Sequence, residues 1–133
     1  MAREFNMTYI PHDVDASCDP KCIALVEESG MAAYGRYWML LELFARSSDG
    51  FIDLAQPGAT ATIRRELRFS NARLLEAFLA TLAKIGLIDA DMLDRGKVMS
   101  DSFLRRREQM EANYLNGKKG GRPKKDGKDN PGV

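Results

Sequence analysis

His12, Asp13, Asp15, Cys18 and Cys22 bring metal-ligand residue types together within a short span near the start of the chain. Their spacing matches none of the standard zinc patterns, and carboxylates are uncommon in structural zinc sites. The plainer reading is that His12 and Asp13 order the loop before a first helix. His12 is the single histidine; there is no Gly-rich phosphate loop, and no nucleophile stands in a recognisable pattern beside a base. The sequence therefore predicts no enzyme, no metal and no cofactor. Cys18 and Cys22, four apart, would close a loop too short to staple a fold, so they read as free thiols of a reducing cytosol.

The other residues able to do chemistry are cations. Net charge is only +1, yet it is unevenly spread. Residues 1–103 hold 11 Lys/Arg against 15 Asp/Glu, a balance of −4, whereas residues 104–133 hold 9 against 4, a balance of +5. Basic character thus concentrates at the C-terminal end. There Lys118-Lys119-Gly120-Gly121-Arg122-Pro123-Lys124-Lys125 resembles an AT-hook, whose extended Gly-Arg-Pro centre enters the narrow, electronegative minor groove of A·T-rich DNA. The second arginine of such a hook is replaced by Gly120. Nonspecific attraction to phosphate is the favoured reading of this tail, with a minor-groove preference as a weaker addition and a merely solubilising role as the alternative.

Earlier cations fall on segments whose periodicity predicts helices. Asp19-Pro20 is an N-cap followed by a proline suited to the first helical position, and a short helix through Ile23 and Val26 should stop at Gly30. A longer one spans about Met31 to Arg46, with Tyr34, Tyr37, Trp38, Leu41 and Phe44 at spacings of three and four. An aromatic stripe of this kind could stack on bases, but only Arg36 interleaves with it, so it reads as core. After a turn at Ser47-Ser48-Asp49-Gly50, Phe51 to Leu54 make a brief extended segment. A third helix from about Ala59 to Leu67 carries Arg64 and Arg65, and a tight corner at Arg68-Phe69-Ser70 leads into a fourth, capped by Ser70 and stopped by Gly86. Two helices joined by such a corner are the helix-turn-helix pattern.

With Leu75, Phe78, Leu79 and Leu82 inward, the fourth helix presents Asn71, Arg73, Ala77, Ala80, Thr81 and Lys84 outward, with Glu76 near one edge. Asn71 and Arg73, near its N-terminus, are placed to reach base edges, and Arg64, Arg65 and Arg68 to hold phosphates. The remaining outer face is small and weakly charged, which suits contact with another protein chain equally well. Leu87-Ile88-Asp89 and Lys97-Val98-Met99 can pair as a hairpin, a wing bearing Arg95 and Lys97. Ser100-Asp101 caps a last helix that carries Arg105, Arg106 and Arg107 and ends near Asn116-Gly117. The expected fold is mainly α with a small β-hairpin wing, a winged helix-turn-helix over residues 1–116, followed by a flexible basic tail over residues 117–133 that lacks the apolar residues needed to offset ordering. No signal-like apolar region or stretch approaching the ~20 residues of a membrane span occurs, so a soluble cytoplasmic protein with no membrane contact is predicted.

Pro11-His12-Asp13, Asp19-Pro20-Lys21, the run from Tyr34 to Glu42 (YGRYWMLLE), Gly86-Leu87-Ile88-Asp89 and the Gly-Gly-Arg-Pro-Lys tail together resemble one family, the phage and prophage replisome-organiser N-terminal domain, a Lin-type conserved N-terminal domain related in architecture to DnaD-type primosome proteins. The resemblance spans about Phe5 to Lys125. It implies binding at a phage or plasmid replication origin, homo-oligomerisation, and help in recruiting a replicative helicase or its loader; the DNA bound is expected to be duplex. Two rival readings stand beside this: an oligomerisation or partner-binding module in which only the tail touches DNA, and a winged-helix transcriptional regulator.

Overall fold

Local sequence signals set most of the element ends. The computed structural model describes residues 5–120, with side chains to residue 117. A 3₁₀ turn at Ala16–Cys18 precedes α1 (Pro20–Ser29) and α2 (Met31–Arg46); then come β1 (Ile52–Asp53), α3 (Ala59–Glu66), α4 (Ala72–Ile85), α5 (Ala90–Asp94), β2 (Lys97–Val98) and α6 (Asp101–Gly120). Pro20 occupies the first turn of α1, and Gly30 separates it from α2 at φ 90°. At the end of α4, Gly86 takes the left-handed conformation (φ 99°). Its N–H donates to Ala83 O at 3.1 Å while that of Leu87 donates to Leu82 O at 2.9 Å, the paired closure that glycine permits at a helix end.

The core lies where α1 to α4 meet, with β2 and α6 closing it. Leu25, Leu40, Phe44, Ile63, Leu67, Leu75, Leu82 and Val98 are fully buried, one or more from each of these elements except α6, whose Phe103 packs on Phe44 with ring centroids 5.6 Å apart. The aromatic stripe of α2 behaves as expected of core: Tyr37 and Phe44 are buried, while Tyr34 and Trp38 pack half-buried against them. Residues 5–13 run alongside the body, with Phe5 buried beside Tyr114 and His12 stacked on Trp38 at 3.8 Å.

The architecture is mainly helical with one small antiparallel sheet. Its pairing differs from the expected hairpin. Lys97 and Val98 pair with Asp53 and Ile52, and the predicted partner segment contributes a single rung, Asp89 N–H to Met99 O at 2.9 Å. Residues 90–94, expected to form the hairpin loop, are helical because Asp89 Oδ1 accepts from Met92 N–H at 2.9 Å and caps α5. Leu87 and Ile88 are both buried, which a half-exposed wing strand cannot satisfy. The last helix also continues to Gly120, beyond the end expected near Asn116-Gly117.

Candidate nucleic-acid interface

Between α3 and α4 the chain turns at Arg68, whose φ of 66° puts a non-glycine residue in the left-handed region. Such a conformation persists where its surroundings over-determine it. The main restraint comes from α2: Arg36 Nε donates to Leu67 O at 2.7 Å and Nη2 to Arg68 O at 3.2 Å. The same guanidinium lies 4.3 Å above the Phe69 ring, and Phe69 in turn packs on Phe78 of α4 at 5.4 Å. Arg64 Nη1 completes the set by donating to Phe69 O at 3.1 Å. Three successive carbonyls of the turn that leaves α3, those of Leu67, Arg68 and Phe69, therefore each accept from an arginine.

The fourth helix starts one residue later than predicted. Asn71, not Ser70, is its N-cap, with Oδ1 accepting from Leu74 N–H at 2.9 Å. The cap commits the amide oxygen, so the paired oxygen-and-nitrogen contact by which asparagine reads adenine is closed to Asn71 in this conformation. Arg65, Arg68 and Arg73 are exposed at the corner, while Arg64 is half-buried through its carbonyl contact. Of the remaining outer face, Ala77 and Ala80 are exposed, Thr81 is half-buried, and Leu74 is 46% exposed. Lys84 is exposed but paired with Glu28 of α1 at 2.5 Å.

The other predicted cations divide sharply. Arg95 is exposed at the end of α5, and Lys97 lies 4.0 Å from Asp53; both stand among Asp89, Asp91 and Asp94. Arg105 is exposed and 3.5 Å from Asp101, and Arg106 is exposed with Nη1 3.5 Å from Pro11 O. Arg107 is a correction. Instead of extending a basic path it is buried, its guanidinium donating to Ser47 O and Ser48 O at 2.9 Å each. The reason is register: Phe103 and Arg107, four apart, share the inner face of α6, and the turn after α2 offers carbonyls that need donors. Gly50 leaves room for it, since a Cβ there would lie 2.9 Å from Leu104 and 3.1 Å from Arg107 Nη1. The backbone of Lys118 and Lys119 belongs to the last turn of α6, but their side chains lie outside the described residues, as do Arg122, Lys124 and Lys125.

His12, Asp13, Asp15, Cys18 and Cys22 do not converge as metal ligands. Among the described residues, no three His, Cys, Asp or Glu side chains converge as a metal site would require. Cys22 and Tyr37 line a cavity of about 260 Å³ with Trp38, Ser100, Phe103 and Arg106. Burial, aided by the Asp19 carboxylate, pushes the Cys22 thiol up, and burial first of all pushes the Tyr37 phenol up to about 12, so neither is an activated nucleophile. Arg36 and Leu74 are the two residues at the corner that spacing did not single out. Arg36 reads as one cation in an apolar helix, and nothing local points to carbonyls 31 and 32 residues further on.

Residues 9–103 match the Lin1244/Lin1753-like N-terminal domain, most of the chain. The chain belongs to that family. Neither a curated protein nor a solved structure gives a match. In this Lin1244/Lin1753-like chain the matched span contains the Arg36 contacts, the α3–α4 corner and the whole sheet, whereas Arg105, Arg106, Arg107 and the basic tail lie beyond it. Among the described residues no helix is long and apolar enough to cross a membrane.

Proposed function

We propose that this protein is a cytoplasmic, duplex-DNA-binding accessory of phage or prophage replication initiation, a replisome organiser related in architecture to DnaD-type proteins. The observation that carries DNA binding is the grouping of exposed Arg65, Arg68 and Arg73 around a corner whose backbone carbonyls are already covered by Arg36 and Arg64. Arg68 keeps one long, exposed contact, Nη1 to Arg65 O at 3.3 Å, and its remaining donors face solvent with those of Arg65 and Arg73, as phosphate contact needs. The tail cations add attraction that is independent of sequence. The replication role, homo-oligomer formation and recruitment of a helicase or its loader rest on the motif resemblance and on membership of the Lin-type family.

A second reading is favoured by one observation, the exposed Leu74 beside Ala77 and Ala80 on the outer face of α4. An apolar outer helix face suits a protein partner, with DNA held by the tail alone. Fluorescence anisotropy separates the two. The full chain and a form ending at Gly120, so that α6 stays whole, are titrated with duplex and single-stranded DNA, A·T-rich and G·C-rich, over a salt series. On the first reading the shortened form still binds duplex, with a salt slope reduced by up to about 3.6 through loss of Arg122, Lys124, Lys125 and Lys128. Binding that disappears with those residues supports the protein-contact reading instead.

A further inference from the structure

We infer that Arg36 is a positioning residue for the DNA-contacting corner: it fixes the left-handed turn at Arg68 and covers the carbonyls of the turn that leaves α3 without itself contacting phosphate. This rests on the DNA-binding reading above. Arg36 belongs to α2, a helix outside the two that form the corner, and is only half-buried, so core packing does not account for it. Its guanidinium nevertheless makes three directed contacts on consecutive residues, Leu67, Arg68 and Phe69.

Two consequences follow from that geometry. The first is orientation: the Arg36 fork holds both peptide units that flank Arg68, so it fixes the left-handed turn (φ 66°) from which the exposed Arg68 side chain leaves the backbone. The second is electrostatic. Uncovered carbonyls in the turn that leaves a helix carry partial negative charge that repels an approaching phosphate, and the Arg36 hydrogen bonds offset that charge at Leu67 and Arg68. Arginine suits both tasks better than lysine because one planar group can donate twice and stack on Phe69 at once.

Salt dependence distinguishes positioning from contact. A residue that touches phosphate contributes about 0.9 to the slope of log K against log salt, whereas one that acts through others changes affinity at constant slope. The full-length chain and its Arg36→Met and Arg65→Met variants are titrated with duplex DNA from low to moderate salt. Expected for Arg36→Met is binding about tenfold weaker with an unchanged slope; for Arg65→Met the slope should fall by about 0.9. Arg36→Lys should recover only part of the loss. A slope that drops for Arg36→Met would make Arg36 a direct phosphate contact and overturn the inference, and a folded Arg36→Met that binds like wild type overturns it too. If Arg36→Met does not fold, Phe69→Leu decides, since it removes the stacking face and leaves every cation in place: weaker binding at constant slope supports the inference, and unchanged binding overturns it. Wild-type protein that binds no duplex removes the DNA reading and this inference together, while a normal wild type beside an unaffected Arg36→Met removes this inference alone.

Discussion

The α3–α4 corner and the segment from α5 to β2 were both predicted to face DNA, and each places cations next to a chain reversal. At the corner, Arg36 and Arg64 turn inward onto carbonyls, and exposed Arg65, Arg68 and Arg73 hold no carboxylate among the described residues, the one backbone contact among them being Arg68 Nη1 to Arg65 O at 3.3 Å; their acidic neighbours in sequence are Glu66 and Glu76, and Glu66 is itself paired with Arg46 at 3.2 Å. Around α5 the proportions are reversed. Arg95 and Lys97 are outnumbered by Asp53, Asp89, Asp91 and Asp94, and Lys97 already lies near one of them. The presence of arginine does not by itself make a phosphate site; what its donors already hold, and the sign of its surroundings, decide.

The sharpest way to break this contrast is to neutralise each region separately. Replacing Arg65, Arg68 and Arg73 together by Met should weaken duplex binding roughly a hundredfold and lower the salt slope by about 2.7. The matching change at the other site, Arg95→Met with Lys97→Met, should leave the slope within about 0.5 of wild type. Equal losses in the two variants would mean that the acidic segment does contact DNA and that the contrast drawn from local charge is wrong.

Arginine used inward should show its effect in stability instead. Arg107→Ala removes the donors to Ser47 O and Ser48 O at the end of α2 and should cost about 3 kcal/mol, seen as a lower urea midpoint, because two carbonyls lose their partners in a half-buried turn. Its effect on the DNA salt slope should be nil. A slope reduced along with stability would place Arg107 at the interface after all.

Much of the fold was legible because it is written locally. The apolar spacing of α2 and α4, Pro20 at a helix start and Gly86 at a helix end each act within a few residues, and all four appear where expected. What escaped depends on partners distant in sequence. Val98 had a plausible neighbour in Leu87-Ile88, yet pairs with Ile52, 46 positions earlier in the chain. Arg107 looked like one member of a basic triplet until the turn after α2 supplied its acceptors. The candidate interface was legible as a set of cations; their division into exposed and inward-facing was not, because side-chain hydrogen bonds such as those of Arg36 are decided by tertiary placement.

The smallest effect concerns the start of α4, where one atom is assigned two uses. If Asn71 chiefly caps the helix, Asn71→Ala should cost about 1 kcal/mol of stability, whereas Ser70→Ala, one residue earlier, should change it by no more than about 0.5 kcal/mol. Asn71→Asp then separates capping from DNA contact. A carboxylate caps as well as an amide and interacts favourably with the positive end of the helix, so stability should hold or rise by about 0.3–1 kcal/mol. The same negative charge lies next to Arg73 and close to any phosphate that Arg73 and Arg68 engage, so duplex binding should weaken severalfold at low salt and approach wild type as salt screens it. Stability and affinity that move in opposite directions identify Asn71 as a structural cap beside the interface; an affinity loss in Asn71→Ala as large as in Asn71→Asp, at full stability, would show that the amide itself reads the DNA.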